Sequence, residues 1–157
     1  MGQGFEAVRP IDMAEQSKRE MRAQFAALPW RRREGKIELL LVTSRGGERW
    51  IIPKGWPMDG KTPAAAAAIE AHEEAGVIGV PSERCVGVFT YRKETTDGDF
   101  PVIAAVFPVE VTRLLPDWDE RKARQRKWVA PKKAARLVSD PDLARLLSDP
   151  TLLKLLQ

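Results

Sequence analysis

Glu70, Glu73 and Glu74 stand at i, i+3 and i+4 in the chain. On a helix that turns by about 100° per residue they fall within a sector of about 100°, so three carboxylates share one face. Hard oxygen ligands gathered in this way suit Mg²⁺, or Mn²⁺ in its place, and a carboxylate beside such an ion can also take a proton from water. The competing reading is a solvated acidic face, the commonest fate of a charge run. The cluster also lies toward the helix C-terminus, where the dipole disfavours anions, so it costs stability. Context favours the metal: a strand and a glycine-containing loop lead directly into this helix and aim its side chains and loop carbonyls at a common crevice.

A crevice of this kind needs cations for an anionic substrate. Lys and Arg number 26 against 22 Asp and Glu, a formal charge of +4 that suits polyanions without requiring nucleic acid. Arg45 and Lys54 lie nearest the metal-bearing loop and helix and are the first candidates for substrate binding. Arg31, Arg33 and Lys93 sit on strands expected to border the same crevice. Trp56, next to Gly55 in the loop, is the best-placed ring for stacking on a planar group.

Rival motifs are weaker. Gly55 to Thr62 matches the phosphate-loop pattern G-x-x-x-x-G-K-[ST], but Pro57 and Pro63 remove backbone N–H donors from the cradle that such a loop needs. His72 points about 200° away from Glu70 and reads as a surface or packing residue. As the single histidine, it also excludes a multi-histidine zinc site. Cys85 opens a strand-like run and reads as a small core residue.

The elements that must position these groups are well punctuated. Thr62 can cap the helix, Pro63 suits its first turn, Ala64 to Ala68 propagate it, and Gly76 can end it in the left-handed conformation. Strand patterns run from Gln24 to Trp30 and from Lys36 to Ser44, joined as a hairpin through residues 31–35. Others cover Arg49–Pro53, Cys85–Lys93, Phe100–Thr112 and Lys127–Val129. Helical leucine spacing marks Lys132–Val138 and Pro141–Leu147, and Leu152, Leu153, Leu155 and Leu156 form an apolar tail. The 157 residues fit one core: a flexible arm expected over residues 1–22, with a helical turn from Asp12 to Met21, and one domain over residues 23–157. Hydrophobic residues at 43% and charged residues at 31% exclude wholesale disorder and coiled coil. One cysteine, no long apolar run and no lipidation signal point to a cytoplasmic protein without membrane attachment.

Around the glutamates the sequence resembles the Nudix hydrolases, whose box reads Gly-x5-Glu-x7-Arg-Glu-U-x-Glu-Glu-x-Gly-U with U aliphatic. Gly55, Glu70, Ala71, Glu73, Glu74, Gly76 and Val77 fall on its positions, while Lys61 replaces the first Glu and Ile69 replaces the Arg. Val42–Arg45, Arg49–Pro53, Asp117–Glu120 and Arg126–Trp128 look like the corresponding stretches of diphosphoinositol polyphosphate phosphohydrolases. Pro53-Lys54-Gly55 is similar to Nudix enzymes that cut diadenosine polyphosphates. The resemblance implies an α/β/α sandwich around a mixed sheet and a Mg²⁺-dependent pyrophosphohydrolase. It implies box glutamates as ligands, with the carbonyl at Gly55 as a further one. Glu120 is a weaker candidate for an extra ligand or base. The implied partner is a polyphosphorylated small molecule, with capped RNA second. Departures at Lys61 and Ile69 support the alternative of a Nudix-fold module that binds a nucleotide or RNA 5′ end without cutting it.

Overall fold

The computed structural model describes residues 22–156; the expected arm and its turn from Asp12 to Met21 lie outside the described residues. Two long strands form the centre, β1 (Ala23–Arg33) and β2 (Lys36–Thr43), paired antiparallel with Trp30 opposite Leu39. β1 continues three residues past the expected end, and the reversal is a two-residue turn, Glu34-Gly35, with φ of 53° and 78°. Two successive positive φ values match the right-handed twist of a tight hairpin.

Short strands β3 (Trp50–Ile51) and β4 (Lys54–Gly55) follow, then helix α1 (Pro63–Ala75). The rest of the sheet is β5 (Val77–Pro81), β6 (Gly87–Lys93), β7 (Phe100–Leu114) and β8 (Arg126–Val129). Helices α2 (Pro131–Leu137), α3 (Pro141–Leu147) and α4 (Pro150–Leu155) close the chain. The sheet runs β3-β2-β1-β7-β5, with β4 also on β1, β6 on β7 and β8 on β2. It is mixed, because β1 and β7 are parallel while the other named pairs are antiparallel.

Alternation along the central strands builds two cores, one on each face. Ala27, Leu40, Val42, Phe107 and Val109 pack against Ala64, Ala67, Ala71 and Ala75 of α1. Ala26, Leu28, Leu39, Leu41, Ala104 and Val106 face Ala134, Leu143, Leu147, Leu152 and Leu156 of the C-terminal segment. The result is the expected three-layer sandwich. The alanine run of α1 removes side-chain bulk, so the helix lies close on the sheet and its carboxylates reach the strand ends.

Several local expectations shift. β4 forms within the expected loop because Gly55 pairs with Phe25, and β5, for which no element is expected, forms because Val77 to Pro81 line up on β7. Cys85 is exposed, two residues ahead of β6, with its thiol on the Gly87 carbonyl at 3.2 Å, so it is not a core residue. Of the tail leucines, Leu152 and Leu156 are buried, whereas Leu153 is exposed.

Candidate active site

Local chemistry sets α1 as expected. The Thr62 hydroxyl accepts from the Ala65 N–H at 3.1 Å, and Gly76 closes the helix at φ 66° with its N–H on the Ala71 and His72 carbonyls. The last turn carries acid where the dipole is negative, and donors from elsewhere satisfy its carbonyls. Arg126 donates to the Ala75 carbonyl at 2.7 Å, and the Trp118 indole N–H donates to that of Glu74 at 2.9 Å. His72 points outward and is exposed.

β4 brings Gly55 onto the Glu70 side chain. A Cβ at Gly55 would fall on the Glu70 carboxyl group, 2.7 Å from Oε2 and nearer still to Cδ and Oε1, so this position has room only for glycine. Glu70 in turn hydrogen-bonds Glu74, one helical turn on. Glu74 is 4% exposed. Burial, reinforced by the hydrogen bond to Glu70 and opposed by Arg124, raises its pKa to about 9. Burial also raises that of Glu70, with the charges of Glu73 and Glu120 adding to the effect. The raised pKa makes Glu74 the donor and Glu70 the acceptor of this hydrogen bond when no cation is bound.

Arg124 is the cation beside this pair. Its Nη1 lies 3.6 Å from Glu74 Oε1 and donates to the Thr43 carbonyl at 2.9 Å, while its Nε donates to Glu120 at 2.8 Å. Glu120 also meets Arg45 at 3.1 Å, and its backbone N–H donates to the Glu73 carbonyl at 3.2 Å. The chain of charges therefore runs Glu74–Arg124–Glu120–Arg45, from the buried pair to an arginine whose side chain is 70% exposed.

Above the pair opens a cleft of about 390 Å³ whose lining includes Glu74, Arg45, Arg49, Lys54, Arg92, Lys93 and Arg124. Lys54 lies 4.7 Å over the Tyr91 ring. Burial lowers its pKa to about 8, against the opposing pull of Glu74 and Asp140. The Tyr91 hydroxyl donates to Gln24, and burial pushes its pKa well above the usual value.

Arg45, Lys54 and Lys93 share the cleft with Glu74. Arg31 and Arg33 do not. The continuation of β1 carries Arg31 five residues beyond the Ala26–Lys54 pairing, roughly 17 Å at the rise of a strand. There Arg31 donates to Glu38 at 2.8 Å and lies 4.1 Å over the Trp128 ring; Arg33 is exposed at the hairpin end. Trp56 faces an adjoining recess rather than the cleft. Arg49, Arg92 and Arg124 also line the cleft, beyond the cations expected from sequence. Only Arg124 left a signal, its i, i+4 spacing from Glu120.

The donor chemistry fits a divalent ion. Among the described residues no three His, Cys, Asp or Glu side chains gather in a metal-holding cluster, so the three glutamates do not form a closed cage. Glu70 and Glu74 meet; Glu73 acts on Glu70 through its charge. Two hard carboxylates beside a cationic cleft match an ion that binds one or two carboxylates and completes its shell with water and phosphate oxygens. The phosphate-loop alternative fails here: Lys61 is exposed, and its N–H turns back to the Met58 carbonyl at 3.2 Å.

A family model described as the NUDIX domain matches residues 21–149. The chain is similar to Nudix hydrolase 12, mitochondrial, of Arabidopsis thaliana, 37% identical over 106 residues that cover 65% of this chain and 52% of the relative. It is similar to mouse diphosphoinositol polyphosphate phosphohydrolase 3-alpha, 36% identical over 110 residues, 68% of this chain and 63% of the relative. It therefore spans about half to three-fifths of the length of these curated relatives. A C. elegans Ap4A hydrolase binary complex shares the fold at a TM-score of 0.61 and 22% identity, covering 85% of this chain and 95% of that one. No helix among the described residues is long and apolar enough to cross a membrane.

Proposed function

The chain belongs to the NUDIX domain family, and on that premise we propose that it is a divalent-metal-dependent hydrolase cleaving a phosphoanhydride bond in a multiply phosphorylated small molecule. The observation that carries this reading is the Glu70–Glu74 carboxyl pair, set against Gly55 beneath a cleft lined by cations. Glu70 and Glu74 would hold Mg²⁺, or Mn²⁺ in its place, with Glu73 as the third carboxylate and the Gly55 carbonyl as a further oxygen. When bound, the ion neutralises phosphate charge and makes its water more acidic.

The chain's own groups do the rest. Arg45, Arg49, Lys54 and Lys93 bind the phosphate oxygens and orient the anhydride. Water adds to phosphorus, the bridging P–O bond breaks, and the water's proton passes to a carboxylate of the set. Negative charge that builds on the leaving phosphate is met by fixed cations, which is where such a site contributes most to rate. Arg124 holds Glu74 in place and Glu120 holds Arg124, which gives Glu120 a supporting role beside its candidacy as ligand or base.

The names of similar proteins supply the two substrate candidates, a diphosphoinositol polyphosphate and a diadenosine polyphosphate. A panel of both with Mg²⁺ or Mn²⁺, products separated by ion chromatography, tests the reading. Turnover that is lost in Glu74→Gln supports it. Ile69 and Lys61, at box positions where the family carries Arg and Glu, favour a second reading, a sensor that binds without cutting. Tight binding with intact ligand recovered across the panel would establish that reading instead.

A further inference from the structure

The connection from Leu115 to the start of β8 at Arg126 carries Glu120 and is fastened to α1 carbonyl by carbonyl. Four successive carbonyls at the helix end each take a donor from it. That of Glu73 accepts from the Glu120 N–H at 3.2 Å, that of Glu74 from the Trp118 indole at 2.9 Å, that of Ala75 from Arg126 Nη1 at 2.7 Å, and that of Gly76 from the Leu115 N–H at 2.8 Å. Glycine at 76 permits this fit, since a Cβ there would lie 3.1 Å from Trp118 Cβ and 2.7 Å from Arg126 Nη1. The other end is tied to β2: the Thr43 N–H donates to the Gln125 carbonyl and the Gln125 N–H to the Thr43 hydroxyl, both at 2.9 Å. Between the two anchors, Glu120 holds two arginines of the cleft on one oxygen, Arg124 Nε at 2.8 Å and Arg45 Nη2 at 3.1 Å from Oε1.

Leu115 and Glu120 contribute backbone N–H groups, which any residue but proline supplies. Trp118 and Arg126 contribute side chains, and each fixes the other. The Arg126 guanidinium lies 3.9 Å over the indole ring and also donates to the Leu115 carbonyl at 2.7 Å. The Trp118 carbonyl accepts from the Arg121 N–H at 3.1 Å, so the turn that presents Glu120 begins at Trp118. We propose that Trp118, clamped by Arg126, is a positioning residue for the polyphosphate site: its indole bond to α1 sets where Glu120 stands, and Glu120 sets where Arg45 and Arg124 stand in the cleft. The inference deepens the proposed function and rests on the cleft as the polyphosphate site. Because both arginines share one oxygen of Glu120, a shift of that oxygen displaces both.

Trp118→Phe keeps a ring under Arg126 and deletes the donor. Binding of inorganic tripolyphosphate in metal-free buffer, followed by calorimetry, should weaken about fivefold, the scale of one hydrogen bond. In a Glu120→Ala background the same substitution should change that affinity less than about twofold. Its cost in Tm should be equal in the two backgrounds, which separates positioning from a purely structural role. Arg126→Lys keeps the charge and loses the stacked plane; it should show the same coupling and carries the test if Trp118→Phe does not fold. An effect of equal size with and without the Glu120 side chain, or no effect in either, overturns the positioning role and leaves the hydrolase reading intact. A wild-type protein that binds no tripolyphosphate overturns the polyphosphate reading of the cleft and this inference with it.

Discussion

Replacing Gly55 by alanine isolates the contact on which the carboxylate pair depends. The added Cβ would stand 2.7 Å from Glu70 Oε2, where ordinary contacts begin near 3.4 Å, and nearer still to Cδ and Oε1. Glu70 must therefore retreat by about 1 Å, and its hydrogen bond to Glu74 breaks. Displacement of a catalytic group by about 1 Å typically costs about 10²-fold, equivalent to about 2.7 kcal/mol of barrier. Gly55 does not occupy the positive-φ region, so alanine adds no backbone strain, and the group that must move is the end of a flexible side chain. Gly55→Ala should therefore lower kcat about 100-fold and weaken Mn²⁺ binding, with a small change in Tm and little change in KM. Gly79→Ala is the contrast: its Cβ would fall on the Glu110 backbone of β7, which cannot move aside, so Tm should fall and kcat should not. Steady-state kinetics, calorimetric Mn²⁺ titration and thermal melts read all three quantities. A Gly55→Ala protein with kcat and Mn²⁺ affinity within threefold of wild type would refute the placement of Glu70 at the reacting centre.

Four further outcomes follow from the same geometry. Glu74, with its pKa raised from 4.5 to about 9, keeps in the folded state a proton that the unfolded chain releases; between those values the metal-free protein should lose stability as pH rises. Melts in chelator from pH 5 to 8 should show that slope, and Glu74→Gln should flatten it, while Lys54, lowered to about 8, contributes the opposite sign only above that pH. Arg124→Met removes the donor to Glu120 and to the Thr43 carbonyl and should cost about 1–3 kcal/mol in denaturant unfolding as well as turnover. Lys61→Ala should leave hydrolysis within about tenfold of wild type, or about 1.4 kcal/mol of barrier, whereas Glu73→Gln should abolish it; the reverse pattern, with ADP and orthophosphate as products, would restore the phosphate-loop reading. Arg45→Ala should raise KM for a polyphosphate several-fold, and Arg31→Ala, tied to Glu38 and Trp128 far along β1, should not.

What could be read without coordinates was whatever closes within a few residues. Thr62, Pro63, the alanine run and Gly76 bound α1 because capping and propagation act between i and i+4, and the same spacing put three glutamates on one face. The hairpin and the long apolar strands followed from alternation, although the Glu34-Gly35 turn was missed, and with it the true reach of β1. Everything decided by pairing distant segments came from the tertiary structure. β4 is two residues long and exists because Gly55 meets Phe25, a register that no local pattern carries. That register presses Gly55 on Glu70 and moves Arg31 away from the cleft, though it carries the same charge as Arg45. Arg124 reaches Glu74 from 50 residues downstream, and Trp56 finds Phe100 across the sheet. Helical periodicity is a property of the chain's own covalent spacing, so the sequence determined which carboxylates could act together. Burial, charge pairing and the division between cleft and recess depend on which strands lie side by side, so the fold decided which of them do.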